Sequence, residues 1–193
     1  MRLRGPDEQP LTDEFDVICR ALDLEGARVL ELGCGAAEKT RQIASNGAAS
    51  VVAAEVDATQ HAKNLQADVP ANIVFKAYGA EHIEEEDGSF DAVVMFYTIE
   101  HLPRTEHAAI YQKISKWLKP GGFFLISTEA NEVEEAIGEW LGVPMYFSTF
   151  DPETVKKMVV ASGLTIQETT IEIQREGDDE IPYLWVLAQK PMD

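Results

Sequence analysis

Short apolar runs alternate with stretches whose apolar residues recur every three or four positions, and the alternation holds from residue 28 to residue 127. Arg28 to Leu32 predicts a strand, and Ala36 to Asn46 a helix closed by Gly47. Ser50 to Glu55 predicts the next strand, with a helix from Thr59 to Asp68 that Pro70 ends. Asn72 to Lys76 and Phe90 to Met95 predict strands three and four. From Thr105 to Leu118 the residues Ile110, Tyr111, Ile114, Trp117 and Leu118 share one face at helical spacing. Lys119, Pro120, Gly121 and Gly122 break that helix and lead into a strand from Phe123 to Ser127. Strands alternating with helices in this way predict a parallel sheet covered on both faces.

The last third has a different rhythm. Asp151 followed by Pro152 reads as an N-cap with proline at the first helical position, opening a helix that runs to Ser162 and stops at Gly163. Two strand-like runs follow, Leu164 to Gln174 and Tyr183 to Gln189, joined by an acidic turn from Arg175 to Glu180. They predict an antiparallel hairpin on one sheet edge. The expected fold is α/β: a doubly wound, mostly parallel seven-stranded sheet with a C-terminal antiparallel hairpin.

The 193 residues are one domain's worth, with residues 1–25 expected as an N-terminal helical segment and 129–150 as a lid insertion. Sixteen Lys and Arg stand against thirty-four Asp and Glu, a net charge of −18. Such a surface repels phosphate backbones and anionic lipid, and there is no basic run to offset it, so neither DNA nor a membrane is an expected partner. The N-terminus turns acidic before any apolar stretch, unlike a secretory signal, and only Cys19 and Cys34 are present. Both features predict a reduced, cytoplasmic protein.

The segment from Val29 to Glu38 is the most informative: a strand, a turn with Gly33 and Gly35, then a helix. Such a turn lets a ligand lie against bare backbone beside free N–H groups. A dinucleotide fingerprint would need a third small residue where Glu38 stands, and a carboxylate there repels a pyrophosphate. Glu31, at the end of the first strand, suits a ligand with a cationic head. Glu55, at the end of the second, can accept from both hydroxyls of a ribose. A nucleoside with a positively charged tail meets both demands, and S-adenosylmethionine is one.

Here the chain resembles the class I S-adenosylmethionine-dependent methyltransferases, and within them the small-molecule branch of quinone and related biosynthesis. Glu31 to Gly35 is similar to that family's first motif, Glu55 to its acidic ribose ligand, and Tyr78 to Glu81 to its adenine-side loop. Asp87 to Asp91, Ile99 to Leu102 and Leu118 to Gly122 are similar to later landmarks, so the likeness covers residues 27 to 128. It implies a Rossmann-like methyltransferase fold with S-adenosylmethionine as cofactor and S-adenosylhomocysteine as product. The implied cofactor-binding residues are Glu31, Gly33, Cys34, Gly35, Glu55, Val56, Gly79, Ala80, Glu81 and Met95. One departure stands out: Gly79 occupies a place where the family often has Asp, and Glu81 or the backbone of Ala80 is expected to serve instead. The implied reaction is direct displacement of the methyl group onto a small-molecule acceptor. A protein or RNA acceptor, a catalytically silent cofactor-binding module and an aminopropyl transfer stay open as alternatives.

His101 and Tyr97 follow strand four at the carboxyl edge, where open α/β sheets bind ligands. They are the candidate catalytic residues, His101 because imidazole titrates near neutrality. Tyr146 and Phe147 are candidates for a pocket wall. No metal is expected: the acidic run from Glu84 to Asp87 reads as a solvated loop, and Cys34 as a small residue in a tight turn. His61, His82 and His107 read as surface residues, since none has partners at ligand spacing.

Overall fold

A computed structural model describes residues 22–140, 143–176 and 179–192. The expected N-terminal helical segment falls almost wholly outside the described residues.

Strands β1 (Arg28–Leu32), β2 (Ser50–Ala54), β3 (Ile73–Lys76) and β4 (Phe90–Phe96) are joined by α1 (Glu38–Ser45) and α2 (Ala58–Gln66). A 3₁₀ turn (Ile99–His101) and α3 (Arg104–Trp117) lead to β5 (Leu118–Glu129). Then come β6 (Val133–Trp140), β7 (Val143–Thr149), α4 (Pro152–Ala161), β8 (Thr165–Glu176) and β9 (Asp179–Gln189). The main sheet has seven strands in the order β3-β2-β1-β4-β5-β9-β8. β1 to β5 run parallel, and β9 is antiparallel to both β5 and β8. The doubly wound sheet and its C-terminal hairpin are as the sequence predicts.

Strands buried on both faces need near-continuous apolar runs, and these have them. Leu30, Leu32, Val93 and Met95 pack with Ile110, Tyr111, Ile114 and Trp117 of α3 and with Val155 and Val159 of α4. Val29, Val51, Ala92 and Val94 pack on the opposite face with Ile43 and Ala44 of α1. α4 starts as read, with Asp151 accepting from the N–H groups of Glu153 and Thr154.

Several boundaries differ from the expectation: β5 starts at Leu118, so that Lys119 to Gly122, read as a break, lie within the strand where its pairing with β4 shifts register. α1 begins at Glu38, because Ala37 is left-handed at φ 60° and stays in the turn. β2 ends at Ala54, so Glu55 stands just beyond the ladder. β8 and β9 extend until Glu176 pairs with Asp179. The largest difference is between β5 and α4. There β6 and β7 form an antiparallel two-stranded sheet of their own, beside the carboxyl end of the main sheet.

Candidate cofactor and acceptor site

Topology places the site. Leu32 pairs with Ala54 on one side and Met95 on the other, so β1 ends between β2 and β4 where connections leave in opposite directions. The turn that follows is drawn onto β2: the N–H groups of Gly33 and Cys34 donate to the Ala54 carbonyl at 3.0 and 2.9 Å. The two glycines do different work. Gly33, at φ +72°, lies so close to Thr98 that a Cβ would sit 2.2 Å from its Oγ1. Thr98 is fixed there by donation to Phe96 O at 2.7 Å. Gly35, at φ +49°, would direct a Cβ into open space. Gly33 therefore serves packing, and Gly35 leaves its backbone bare towards open space.

Glu31 points to the α1 face and is 3% exposed. Its Oε2 accepts from Thr40 Oγ1 at 2.5 Å. Burial lifts its pKa to about 7, against the opposing pull of Thr40 and Lys39, while the charge of Glu55 pushes it further up. The Cys34 thiol is pushed up to about 12 by burial and by the two carboxylates, which keeps it a neutral turn residue. Glu55 accepts the Gly35 N–H with Oε2 and the Asp57 N–H with Oε1, both at 2.8 Å. Asp57 is the N-cap of α2, accepting from Gln60 N–H at 2.6 Å. Val56 between them is 69% exposed.

In the loop after β3, Gly79 and Ala80 are buried. A Cβ at Gly79 would fall 2.5 to 2.8 Å from the Glu81 carboxyl group, so Glu81 folds back into the space that a side chain at 79 would fill. Glu81 Oε1 is 3.0 Å from His82 Nδ1, while Oε2 is buried and has no hydrogen-bond partner. Lys113 of α3 ties the loop down by donating to the Glu81 carbonyl at 3.0 Å.

The two candidate catalytic residues have separate surroundings. His101, in the 3₁₀ turn, has Nδ1 3.0 Å from the Tyr146 carbonyl of β7 and its ring edge-on to Phe147 at 5.1 Å. A carbonyl only accepts, so Nδ1 carries the proton and Nε2 keeps its lone pair. Burial holds this imidazole below the usual histidine range. Tyr97 has φ 48° and turns to the opposite sheet face, edge-on to Tyr183 and Trp185, and its hydroxyl accepts from Gln174 Nε2 at 2.7 Å. Tyr146 and Phe147 sit on β7, not on an irregular connection as the sequence pattern implies.

One histidine departs from expectation. His107 is 2% exposed, not on the surface, because it lies on the inner face of α3. Its Nε2 donates to the Leu102 carbonyl at 3.0 Å and its ring meets Phe150 edge-on. His82 is exposed as expected, and His61 is half-buried against Phe75. Among the described residues no three His, Cys, Asp or Glu are grouped to hold a metal ion, and no helix is long and apolar enough to cross a membrane. Thr40, Asn64 and Thr98 do not stand out in the sequence. Asn64 leaves a trace: α2 has no apolar stripe, and this amide is its one buried residue.

With this geometry established, comparison with known proteins is informative. The sequence matches the family described as "Methyltransferase domain" over residues 9–169. It is 27% identical to a "Ubiquinone biosynthesis O-methyltransferase" of Chelativorans sp., covering 89% of this chain and 74% of the relative. The enzyme of the same name from Rhizobium etli is 31% identical, covering 76% of this chain and 63% of the relative's length. A solved S-adenosylmethionine-dependent methyltransferase of Methanosarcina mazei superposes with a TM-score of 0.79 at 18% identity, covering 92% of this chain and 98% of that one. Fold and turn together define a Rossmann-like nucleoside-binding α/β protein. The chain belongs to the methyltransferase-domain family.

Proposed function

We propose that this chain transfers a methyl group from S-adenosylmethionine to a small-molecule acceptor. The observation that carries the reading is the pairing of Gly35, bare towards open space, with the Glu55 carboxylate 2.8 Å from its N–H. The residues present fit the cofactor. Glu55 supplies two oxygens for ribose hydroxyls, Val56 lies exposed beside it, and the backbone of Gly35 leaves room for close approach while Gly33 and Cys34 hold the turn in shape. Gly79 and Ala80 border the adenine side, where the partnerless buried Oε2 of Glu81 suits an exocyclic amino donor. Glu31 is assigned the cationic tail, and Met95, fully buried on β4, supports the site from within the core.

When bound, S-adenosylmethionine supplies a methyl carbon activated by a sulfonium. The protein's own residues have to orient the acceptor, exclude water and, where the acceptor atom bears a proton, remove it. Neutral His101, with Nε2 free to accept, is suited to that removal. Tyr97, on the opposite sheet face with its hydroxyl held by Gln174, is given no part in the proton transfer. The β6–β7 hairpin, seated on His101, acts as the lid over the acceptor side. Most acceleration comes from alignment, for which effective molarities reach roughly 10⁵–10⁸ M. The relatives' names favour an oxygen nucleophile, and the acidic surface favours a small acceptor over a nucleic acid. The same reading has the protein in the cytoplasm, in keeping with its sparing use of cysteine.

Titration calorimetry with S-adenosylhomocysteine and with NAD tests the cofactor half. Binding of the first and not the second is expected; the reverse would replace this reading with the dinucleotide one. Incubation with methyl-labelled S-adenosylmethionine and a metabolite extract then identifies the acceptor from the labelled product.

A further inference from the structure

Gly35 is held on both sides by the second βα unit. Its N–H donates to Glu55 Oε2, and its carbonyl accepts from Asn64 Nδ2, each at 2.8 Å. Asn64 is 2% exposed, and a buried amide costs free energy unless both of its ends are satisfied. Its Oδ1 accepts from Gln60 Nε2 at 3.0 Å, one turn earlier on α2. Asp57 caps the Gln60 N–H, and the Asp57 N–H returns to Glu55 Oε1. A closed circuit of hydrogen bonds thus runs from Gly35 through Glu55, Asp57, Gln60 and Asn64 back to Gly35.

A carboxylate that takes up ribose hydroxyls has to share or surrender the oxygens now used by Gly35 and Asp57. Gly35 would then have to keep its left-handed conformation with its N–H released. We propose that Asn64 is a positioning residue for the cofactor: it clamps the Gly35 carbonyl, so that the turn holds its shape while Glu55 exchanges the Gly35 N–H for the ribose. The inference rests on the cofactor reading above and assigns Asn64 a part in it. Without the clamp, the turn relaxes when Glu55 lets go, and the loss falls on the ligand more than on the fold.

The test compares wild type, Asn64→Ala and Asn64→Asp by calorimetry with S-adenosylhomocysteine at pH 8 and pH 5.5, with thermal unfolding of each free protein alongside. Asn64→Ala is expected to weaken binding about tenfold, as loss of one buried hydrogen bond implies. Asn64→Asp keeps the volume but cannot donate when ionised. It should bind at least as poorly as the alanine variant at pH 8, then regain most of the lost affinity relative to wild type at pH 5.5, where a protonated carboxyl group donates. A space-filling role would leave Asn64→Asp near wild type at both pH values. That result, or an alanine variant within about twofold of wild type where one hydrogen bond predicts tenfold, overturns the proposal. Should the alanine variant fail to fold, the pH dependence of Asn64→Asp decides alone. Wild type that binds no S-adenosylhomocysteine would overturn the cofactor reading itself, and this proposal with it.

Discussion

His101 reaches across 45 residues of sequence to donate from Nδ1 to the carbonyl of Tyr146 at 3.0 Å. One imidazole thereby anchors β7 with one nitrogen and offers the other as a proton acceptor. The two roles are separable. His101→Asn places an amide N–H where Nδ1 was and keeps the anchor; His101→Ala loses both. Methyl transfer should fall about 10²- to 10⁴-fold in each, the range for a positioned base. Proteolysis within β6–β7 should increase only in the alanine variant. Equal activity of wild type and His101→Asn would remove His101 as the base.

Glu31 gives a pH dependence whose sign is fixed by its burial. Its pKa rises from 4.5 in a solvated chain to about 7 in the fold, so the folded state holds a proton that the unfolded state releases between those values. This group therefore favours folding most below pH 4.5, and the advantage is lost as pH rises through 7. The loss is on the order of 3–4 kcal/mol, since each tenfold change in proton affinity corresponds to about 1.4 kcal/mol. Glu31→Gln, which stays neutral, should be more stable than wild type at pH 8 and close to it at pH 5. Urea midpoints at the two pH values measure this; parallel curves would refute it.

Glu55 and Asp57 both follow the end of β2, and the proposed reading gives the ribose to Glu55. Asp57 commits its carboxylate to the α2 N-cap. Asp57→Ala should cost about 1 kcal/mol of stability, as other N-cap losses do. Glu55→Ala should weaken S-adenosylhomocysteine binding by about one to two orders of magnitude, and Glu55→Gln by less, since charge-assisted bonds are worth roughly 1.5–3 kcal/mol each. Calorimetry of all three variants ranks them, and a larger binding defect in Asp57→Ala would reverse the assignment.

Gly33 and Gly35 should fail in different ways. Gly33→Ala drives a methyl group into Thr98, so its melting temperature should fall sharply. Gly35→Val meets open space and is penalised only for its left-handed backbone, about 1–2 kcal/mol. It should fold and lose S-adenosylhomocysteine binding. Retained affinity in that variant would show that Gly35 does not face the ligand.

Strands β1, β2 and β4 are legible in the sequence because burial on both faces demands runs such as Val29 to Leu32, and α3 because its apolar stripe is unbroken. The glycine turn and the two strand-end carboxylates are legible for a similar reason, since few residues meet their backbone and charge requirements. The β6–β7 hairpin is not. Glu134, Glu135 and Ala136 are all exposed, so β6 shows no alternation, and its pairing shifts register between Val133 and Ala136. The burial of His107 is hidden because it depends on an acceptor, Leu102 O, supplied by the turn before α3. Asn64 is hidden because its partner lies 29 residues away and is a backbone carbonyl.

Among the described residues the hairpin shares no ladder with the seven-stranded sheet. Among its side-chain ties are His101 to Tyr146 O and Ser148 Oγ to Leu102 O, both on the chain leading into α3. The circuit that shapes the glycine turn is drawn from the β1–α1 turn, the end of β2 and α2 alone. β6 and β7 supply no hydrogen bond of that circuit, so their length and side chains are open to change without breaking any of its bonds. Two-stranded ribbons are marginal on their own in water, so this part of the molecule is expected to open well before the sheet does. On the proposed reading, acceptor choice would rest on an easily altered ribbon and donor binding on a frame that tolerates little change, so that the two could drift at different rates.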